Sequence, residues 1–488
     1  MARTKSRWVC QECGFQASGF LGRCTDCGAW NSIVEERVAD EPSGSKRNSP
    51  LLQIFGNGEH HSKGPMLLRD IETSEAERLL TQIGGLDEVL GGGLVPGSVT
   101  LLAGDPGIGK STLLLQVAKM IAAKNKVLYV TAEESAAQIR LRAHRLGIKD
   151  TELFVDAEQN VLTIAERMTM DRAAVAIIDS IQSVYHPEVG SAPGSVSQVR
   201  ESAQIICTAA KSRNIATIIV GHVNKEGAIA GPRVLEHMVD VVLQFESDRT
   251  GQLRILKTVK NRFGATSEMA IFSMNESGLS EVENPSALLL GDRLKDLNRQ
   301  ASSGTAVIAG AEGHRTLLLE VQALVGVSSY PSPRRVANGW DYNRLLQIIA
   351  VLEKKVGLSL SHLDVYVNIV GGLDFTDPSG DLGVSVAIAT SALDRSIDAS
   401  LVIVGEVGLT GEVRPVPFLA QRLKEASRLG FRRALVPKAN LPAGDGSDLI
   451  KVVGVESLAD ALTLAMPGAK LPSYEKRTAS TVRGARDQ

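Results

Sequence analysis

Residues 99–112 read VTLLAGDPGIGKST. The apolar run Val99–Ala103 passes directly into Gly104-Asp105-Pro106-Gly107-Ile108-Gly109-Lys110-Ser111, a full match to G-x-x-x-x-G-K-[ST], and Thr112 then opens the helix-like stretch TLLLQVAKM. Strand, glycine loop and helix in that order separate a phosphate-binding loop from a chance match. Gly104, Gly107 and Gly109 let backbone N–H groups wrap a β-phosphate at a helix N-terminus. Lys110 is expected to reach the β- and γ-phosphates and the Ser111 hydroxyl to hold Mg²⁺. Thr112 is placed to contact the α-phosphate.

Outward from this loop, short apolar runs alternate with amphipathic stretches. KVLYVTAEE (126–134), LFVDA (153–157), AVAIIDS (174–180) and IATIIVGH (215–222) read as buried strands. AAQIRLRAHRL (136–146) and VSQVRESAQIICTAAKSR (196–213) read as helices between them. The alternation predicts an α/β fold, a parallel sheet covered on both faces. VVLQFE (241–246), QLRILKTVKNRF (252–263) and MAIFSM (269–274) are expected to extend it antiparallel. Two acids complete the chemistry of the loop. Asp179 ends AVAIID, where a carboxylate can serve the Mg²⁺ shell. Glu133 and Glu134 end VLYVTA, and one of them can face the γ-phosphate and orient water; Glu133 is the favoured one. His222, ending IATIIVG, is either a γ-phosphate sensor or a core histidine. Cys207, alone on a helix, is expected to be a buried thiol.

The chain has 488 residues, enough for about two to four domains. Hydrophobic residues at 43% and charged residues at 22% exclude extended disorder, collagen and coiled coil for most of it. Lys plus Arg number 53 against 55 Asp plus Glu, so any nucleic-acid binding must come from local patches. Aromatic residues at 4% argue against a chain-long base-stacking platform. The opening MARTKSRWVCQEC has no apolar stretch after its basic residues, so no signal peptide is expected. No run approaches the ~20 apolar residues of a membrane helix. A soluble cytoplasmic protein is expected.

Residues 1–35 form a cysteine module. Cys10-x-x-Cys13 and Cys24-x-x-Cys27 can set four thiolates around one Zn²⁺. The module has too few apolar residues to fold alone, so metal must supply the energy, about 10–16 kcal/mol in comparable peptides. Four Cys ligands leave no open position, which makes the zinc structural. The odd total of five Cys argues against a secreted disulfide scaffold. Residues 36–75 read as a flexible linker rich in Gly, Ser and Pro, and 76–285 as the P-loop domain. Residues 286–470 read as a second α/β domain, and 471–488 as a disordered polar tail.

The lead-in IGGLDEVLGGGLVPGSVTLLAG, with carboxylates after later strands, resembles RecA-like ATPases. The linked order is more specific. A four-Cys motif, this ATPase, then Lys260-Asn261-Arg262-Phe263-Gly264 is similar to the RadA (Sms) family of bacterial DNA-repair proteins, whose own motif is KNRFG. The resemblance covers essentially the whole chain except the linker and tail. The C-terminal half resembles the proteolytic domain of Lon, through GEVGLTGEVRPVPFLAQRLKEASRLGFRRALVPKAN (405–440). Lon uses a Ser–Lys dyad. Alignment places Ala420 at the dyad lysine, and Ser379 in DPSG lies near the serine. A serine without its base is weak, so the fold is expected without the peptidase.

The resemblance implies an ATP- and Mg²⁺-using, DNA-dependent ATPase in hexameric rings. It would move on single-stranded DNA and drive branch migration of branched DNA alongside the RecA recombinase. GSAPGSVSQ (190–198) and NKEGAIAGPR (224–233) sit where such rings place DNA-gripping loops. Lys225, Arg233, Arg334, Arg335, Arg344, Lys354 and Lys355 are candidate phosphate contacts. Lys260 and Arg262, placed far in the sheet order from the P-loop strand, are expected to act on the neighbour's nucleotide as arginine fingers do. The alternative is a plain turn built on Asn261 and Gly264. Two readings from other classes are an ATP-dependent Lon-like protease and a RecA-like switch that does not act on DNA.

Overall fold

Val99–Gly104 is buried at every residue, because it lies at the centre of a sheet with core on both faces. Along it Leu102 enters one apolar cluster while Leu101 and Ala103 enter another. The same division repeats at Tyr129 against Leu128 and Val130, and at Ile177 against Ala176 and Ile178. A strand covered on both faces needs apolar residues at successive positions, which is why these strands read as unbroken runs.

The computed structural model describes residues 5–10, 15–26, 28–38, 67, 78–149, 152–170, 173–222, 234–248, 251–266, 268–312, 315–441, 450–469 and 471. Cys13, Cys27, Lys225, Arg233, nearly all of the 36–75 segment and nearly all of the 471–488 tail lie outside the described residues. The chain divides into two units, the first ending at Val282 and the second running from Glu283.

At the N-terminus β1 (Lys5–Cys10), β2 (Gln16–Ala17) and β3 (Ile33–Val38) form an antiparallel sheet in the order β2-β1-β3. The main sheet of the first unit comprises β4 (Val99–Gly104), β5 (Val127–Thr131), β6 (Leu153–Asp156), β7 (Val175–Asp179), β8 (Ala216–His222), β9 (Val241–Ser247), β10 (Leu253–Asn261), β11 (Met269–Asn275) and β12 (Gly278–Glu281). Their order is β12-β11-β10-β9-β4-β8-β7-β5-β6. The strands from β9 to β6 run parallel, and β10, β11 and β12 add antiparallel. Two expectations change. The 241–246 segment joins β4 in parallel, and antiparallel pairing begins one strand later. The 153–157 segment is an edge strand rather than a buried one, with Phe154 at 44% exposure.

In the second unit the strands are β13 (Thr305–Glu312), β14 (Arg315–Val327), β15 (Arg335–Asn338), β16 (Leu363–Ile369), β17 (Leu401–Ile403), β20 (Arg433–Pro437) and β21 (Lys451–Val455), with β18 (Glu406–Val407) and β19 (Val413–Arg414) as a separate hairpin. The main order is β15-β16-β14-β13-β17-β20-β21. The helix Asp381–Ala392 is buried from Asp381 to Thr390. It packs so closely on β13 that a Cβ at Gly383 would lie 2.1 Å from Ile308 Cγ2.

Candidate active site

β4, β5, β7 and β8 end together at Gly104, Thr131, Asp179 and His222, at the carboxyl edge of the parallel sheet, where such folds bind ligands. After Gly104 the chain turns and enters the helix Lys110–Ala122. Gly107 and Gly109 have φ of +77° and +116°, backbone that disfavours any Cβ. The helix start has no side-chain cap, so its first N–H groups remain for an anion. Lys110 lies inside this cradle. Its Nζ donates to Gly104 O at 2.7 Å and Asp105 O at 2.9 Å, and sits 3.2 Å from His222 Nδ1. Burial lowers the Lys110 pKa, with Asp179 and Glu133 opposing. The loop opens on a cleft of about 300 Å³ lined by Ser111, Thr112, Glu133, Asp179 and His222 among others. A glycine cradle, a buried ammonium, a hydroxyl and a strand-end carboxylate fit a magnesium nucleotide. Ser111 and Asp179 would hold the metal, which would neutralise phosphate charge.

The three acids are held differently. Asp179, 8% exposed, accepts a 2.6 Å hydrogen bond from Tyr129 Oη on the neighbouring strand. Burial, then the Asp179 charge, pushes the Tyr129 pKa well above its usual value. Glu133 Oε1 lies 3.1 Å from His222 Nε2 and accepts from the Ser180 and Ser183 hydroxyls. The His222 bond foremost, with Ser180 and against burial, holds the Glu133 carboxyl at about 2. Glu134 instead pairs with Arg142 at 2.7 Å. His222 is partly exposed between Lys110 and Glu133 and is no core histidine. Cys207 is buried, and desolvation pushes its thiol up to about 11. Tyr129, Arg142, Ser180 and Ser183 were not singled out in the sequence, because each matters only through a contact across strands or helix turns.

The KNRFG segment lies at the opposite end of the sheet. Only β9 separates its strand from β4, so it is not far in the sheet order. Its separation runs along the strands instead. Asn261 pairs with Val241, which pairs with Thr100 near the start of β4, whereas the P-loop leaves from the other end. Lys260 Nζ donates to Glu236 O at 2.6 Å and Val239 O at 2.9 Å, around the C-terminus of the helix Val234–Met238. Arg262 is 54% exposed at its side chain and lies 3.2 Å from Asp240. Asn261 Oδ1 accepts from Phe263 N at 2.8 Å, which is Asx-turn chemistry. Gly264 packs on Gly91, and Arg78 ties the two segments together through Phe263 O and Gly91 O.

In the second unit Ser379 is 1% exposed, and the group facing it is Arg422, also at 1%. Ala420 offers nothing there. Arg422 Nη1 donates to Ser379 Oγ at 2.6 Å, Nε to Pro417 O at 3.1 Å, and Nη2 lies 2.8 Å from Asp377. A guanidinium stays protonated in proteins and cannot take a serine proton. The candidate phosphate contacts divide. Arg344 is committed to Asp381 in a two-bond pair, and Arg335 donates to Leu360 O, Leu363 O and Arg334 O. Arg334, stacked 3.7 Å over the Tyr330 ring, is exposed, as are Lys354 and Lys355.

In the N-terminal module Cys10 and Cys24 are both buried and share a small core with Ile33. Each makes the same backbone bond to the residue five positions on: Cys10 N to Phe15 O at 2.9 Å, and Cys24 N to Ala29 O at 2.8 Å. Matching bonds at the first Cys of each CxxC pair, with both thiols buried together, fit a tetrathiolate zinc site. Cys10, Cys13, Cys24 and Cys27 would hold the metal.

Residues 8–35 match the rubredoxin metal binding domain family, 67–228 the AAA domain family, and 345–440 the family described as subunit ChlI of Mg-chelatase. Among solved structures, the RadB recombinase aligns at 25% identity over 42% of this chain and 100% of its own, with a TM-score of 0.35. DNA repair protein RadA of Bacillus subtilis is 46% identical over 96% of this chain and 100% of its own length. Those of Synechocystis sp. and Listeria monocytogenes are each 46% identical over 96% of this chain, and over 95% and 99% of their own. Alignments over 96% of the chain reach the cysteine module, the P-loop unit and the second unit, and the chain belongs to the RadA family of DNA repair proteins.

Proposed function

We propose that the protein is a DNA-dependent ATPase of recombinational repair. It moves along single-stranded DNA as a ring, hexameric as the family resemblance implies, and promotes branch migration of recombination intermediates with RecA. The observation that carries this is the bond chain Lys110–His222–Glu133. His222 ends β8, and one residue later the chain enters the 224–233 segment, whose Lys225 and Arg233 are candidate DNA contacts. A change in that segment is therefore two residues along the chain from a side chain joined to both the phosphate-binding lysine and the water-orienting acid.

In this reading Lys110 leaves its carbonyl partners for the β- and γ-phosphates, and Thr112 meets the α-phosphate. Glu133 is ionised at any working pH and orients the attacking water. Arg262 serves the neighbour's nucleotide, since its own P-loop lies at the other end of the sheet. Lys260, expected to act with Arg262, is bonded to Glu236 O and Val239 O, so in this reading it steadies the end of the helix Val234–Met238 and leaves the neighbour's nucleotide to Arg262. The second unit handles DNA through Arg334, Lys354 and Lys355, and its Ser379 performs no peptidase step. The test is the ATPase rate with and without single-stranded DNA across salt. The expected result is stimulation that weakens as salt rises, by counterion release, and that vanishes in Glu133→Gln while ATP binding survives. No stimulation at any salt would favour the switch that does not act on DNA.

A further inference from the structure

The second glutamate of the pair has no role in the chemistry above, yet it lines the same cleft. Glu134 is fixed from both sides. Its N–H donates to Thr131 Oγ1 at 3.1 Å, and the Thr131 hydroxyl donates to Glu134 O at 2.8 Å. Ser135 and Gln138 then close a capping box that starts the helix Ala136–Arg145. Two turns along that helix, Arg142 returns to the cleft and places Nη2 2.7 Å from Glu134 Oε1. Arg142 Nη1 and Glu134 Oε2 are buried with no hydrogen-bond partner. The pair thus faces the cleft with its geometry set by the backbone and its charges cancelled by each other.

From this we infer that Arg142 is a positioning residue of the ATPase site: it neutralises Glu134, so that the cleft can accept a triphosphate. The inference rests on the reading of the cleft as an ATP site. Glu133, Glu134 and Asp179 all line it beside Lys110. Glu133 and Asp179 have work there, orienting water and holding the metal. A third, uncompensated carboxylate would only repel the incoming phosphates, and in a partly desolvated cleft a unit charge several Å away changes affinity by about tenfold. Arg142 acts through Glu134 rather than on the nucleotide.

Charge compensation makes predictions of opposite sign for the two partners. The full-length chain is titrated with a fluorescent ATP analogue in the presence of Mg²⁺, which reads binding without turnover. Arg142→Ala should weaken binding about tenfold, because Glu134 is left unpaired. Glu134→Gln should tighten binding severalfold, because the arginine charge is released toward the phosphates. The double variant has the net charge of the parent and should bind within about twofold of it. A double variant as weak as Arg142→Ala would overturn the inference, since the arginine would then touch the nucleotide itself. So would weakened binding in Glu134→Gln, an outcome that decides the matter even if Arg142→Ala fails to fold. A parent chain that does not bind the analogue overturns the reading of the cleft, and this inference with it.

Discussion

Each unit holds a nearly buried cation beside a hydroxyl, Lys110 near Ser111 and Arg422 against Ser379, but their direct partners differ in charge. Lys110 donates to two backbone carbonyls and approaches an imidazole. None of these is a carboxylate, so an incoming phosphate can replace them with a stronger, charge-assisted bond. Arg422 also donates to backbone, but its fork is closed by the carboxylate of Asp377 at 2.8 Å. Leaving that partner would strand two opposite charges in the interior. A cation with neutral partners is available to a ligand, and one with a buried counter-ion is part of the fold. The two alpha/beta units therefore use similar local chemistry for different ends, one left open to a ligand and the other holding a protease-like fold together.

The contrast breaks most sharply at Lys110. Lys110→Ala should lower ATP hydrolysis by roughly 10²–10³ or more, since the developing phosphate charge loses a preorganised donor. Its melting temperature should stay at or above that of the parent, because the side chain removed is a desolvated charge with no direct carboxylate partner. A rate within tenfold of the parent would mean that the cradle does not serve catalysis.

Arg422→Ala should show the reverse. ATP hydrolysis without DNA should be unchanged, while the second unit loses about 3–5 kcal/mol, the typical cost of leaving one partner of a buried ion pair unmatched. Denaturant unfolding followed by a probe in that unit measures it. Arg422→Ala with Asp377→Asn should recover part of the loss, because no buried charge then remains. A cost below about 1 kcal/mol for the single variant would place Asp377 in contact with water and undo the comparison.

The P-loop, Asp179 and the pair Glu133–Glu134 were legible because their spacing is local and their strand contexts are strongly patterned. The strand that carries Asp179 reads as five apolar or acidic residues in a row and is buried throughout. Arg422 was not legible. It sits two positions beyond the aligned Ala420, and only the helix Leu419–Arg428 packing near β13 turns it onto Ser379. Arg335 and Arg344 read as candidate phosphate contacts for the same reason: their partners Leu360 O, Leu363 O and Asp381 are more than twenty residues away. The sheet order also escaped the sequence. Strand patterns establish that 253–261 pairs, but not that it lies two places from β4.

The smallest effect concerns pH. In the parent the Glu133 carboxyl sits at about 2, chiefly through the His222 hydrogen bond and then Ser180. A depressed pKa means the ionised form, which the proposed water-orienting role needs, is complete above about pH 3, and is lost only as pH falls through about 2. Glu133 therefore contributes no acid limb between pH 5 and 8. In His222→Ala the largest cause is removed while Ser180 and Ser183 remain, so the pKa rises toward the ordinary carboxylate range. At the ordinary value roughly a fifth of Glu133 would be protonated at pH 5. The ratio of ATPase rate at pH 5 to that at pH 7.5, taken within each variant, cancels any change in the absolute rate. It should fall by up to about a fifth in His222→Ala relative to the parent. An unchanged ratio would mean that the serines alone hold Glu133, and that His222 acts through Lys110 and the segment it leads into rather than on Glu133.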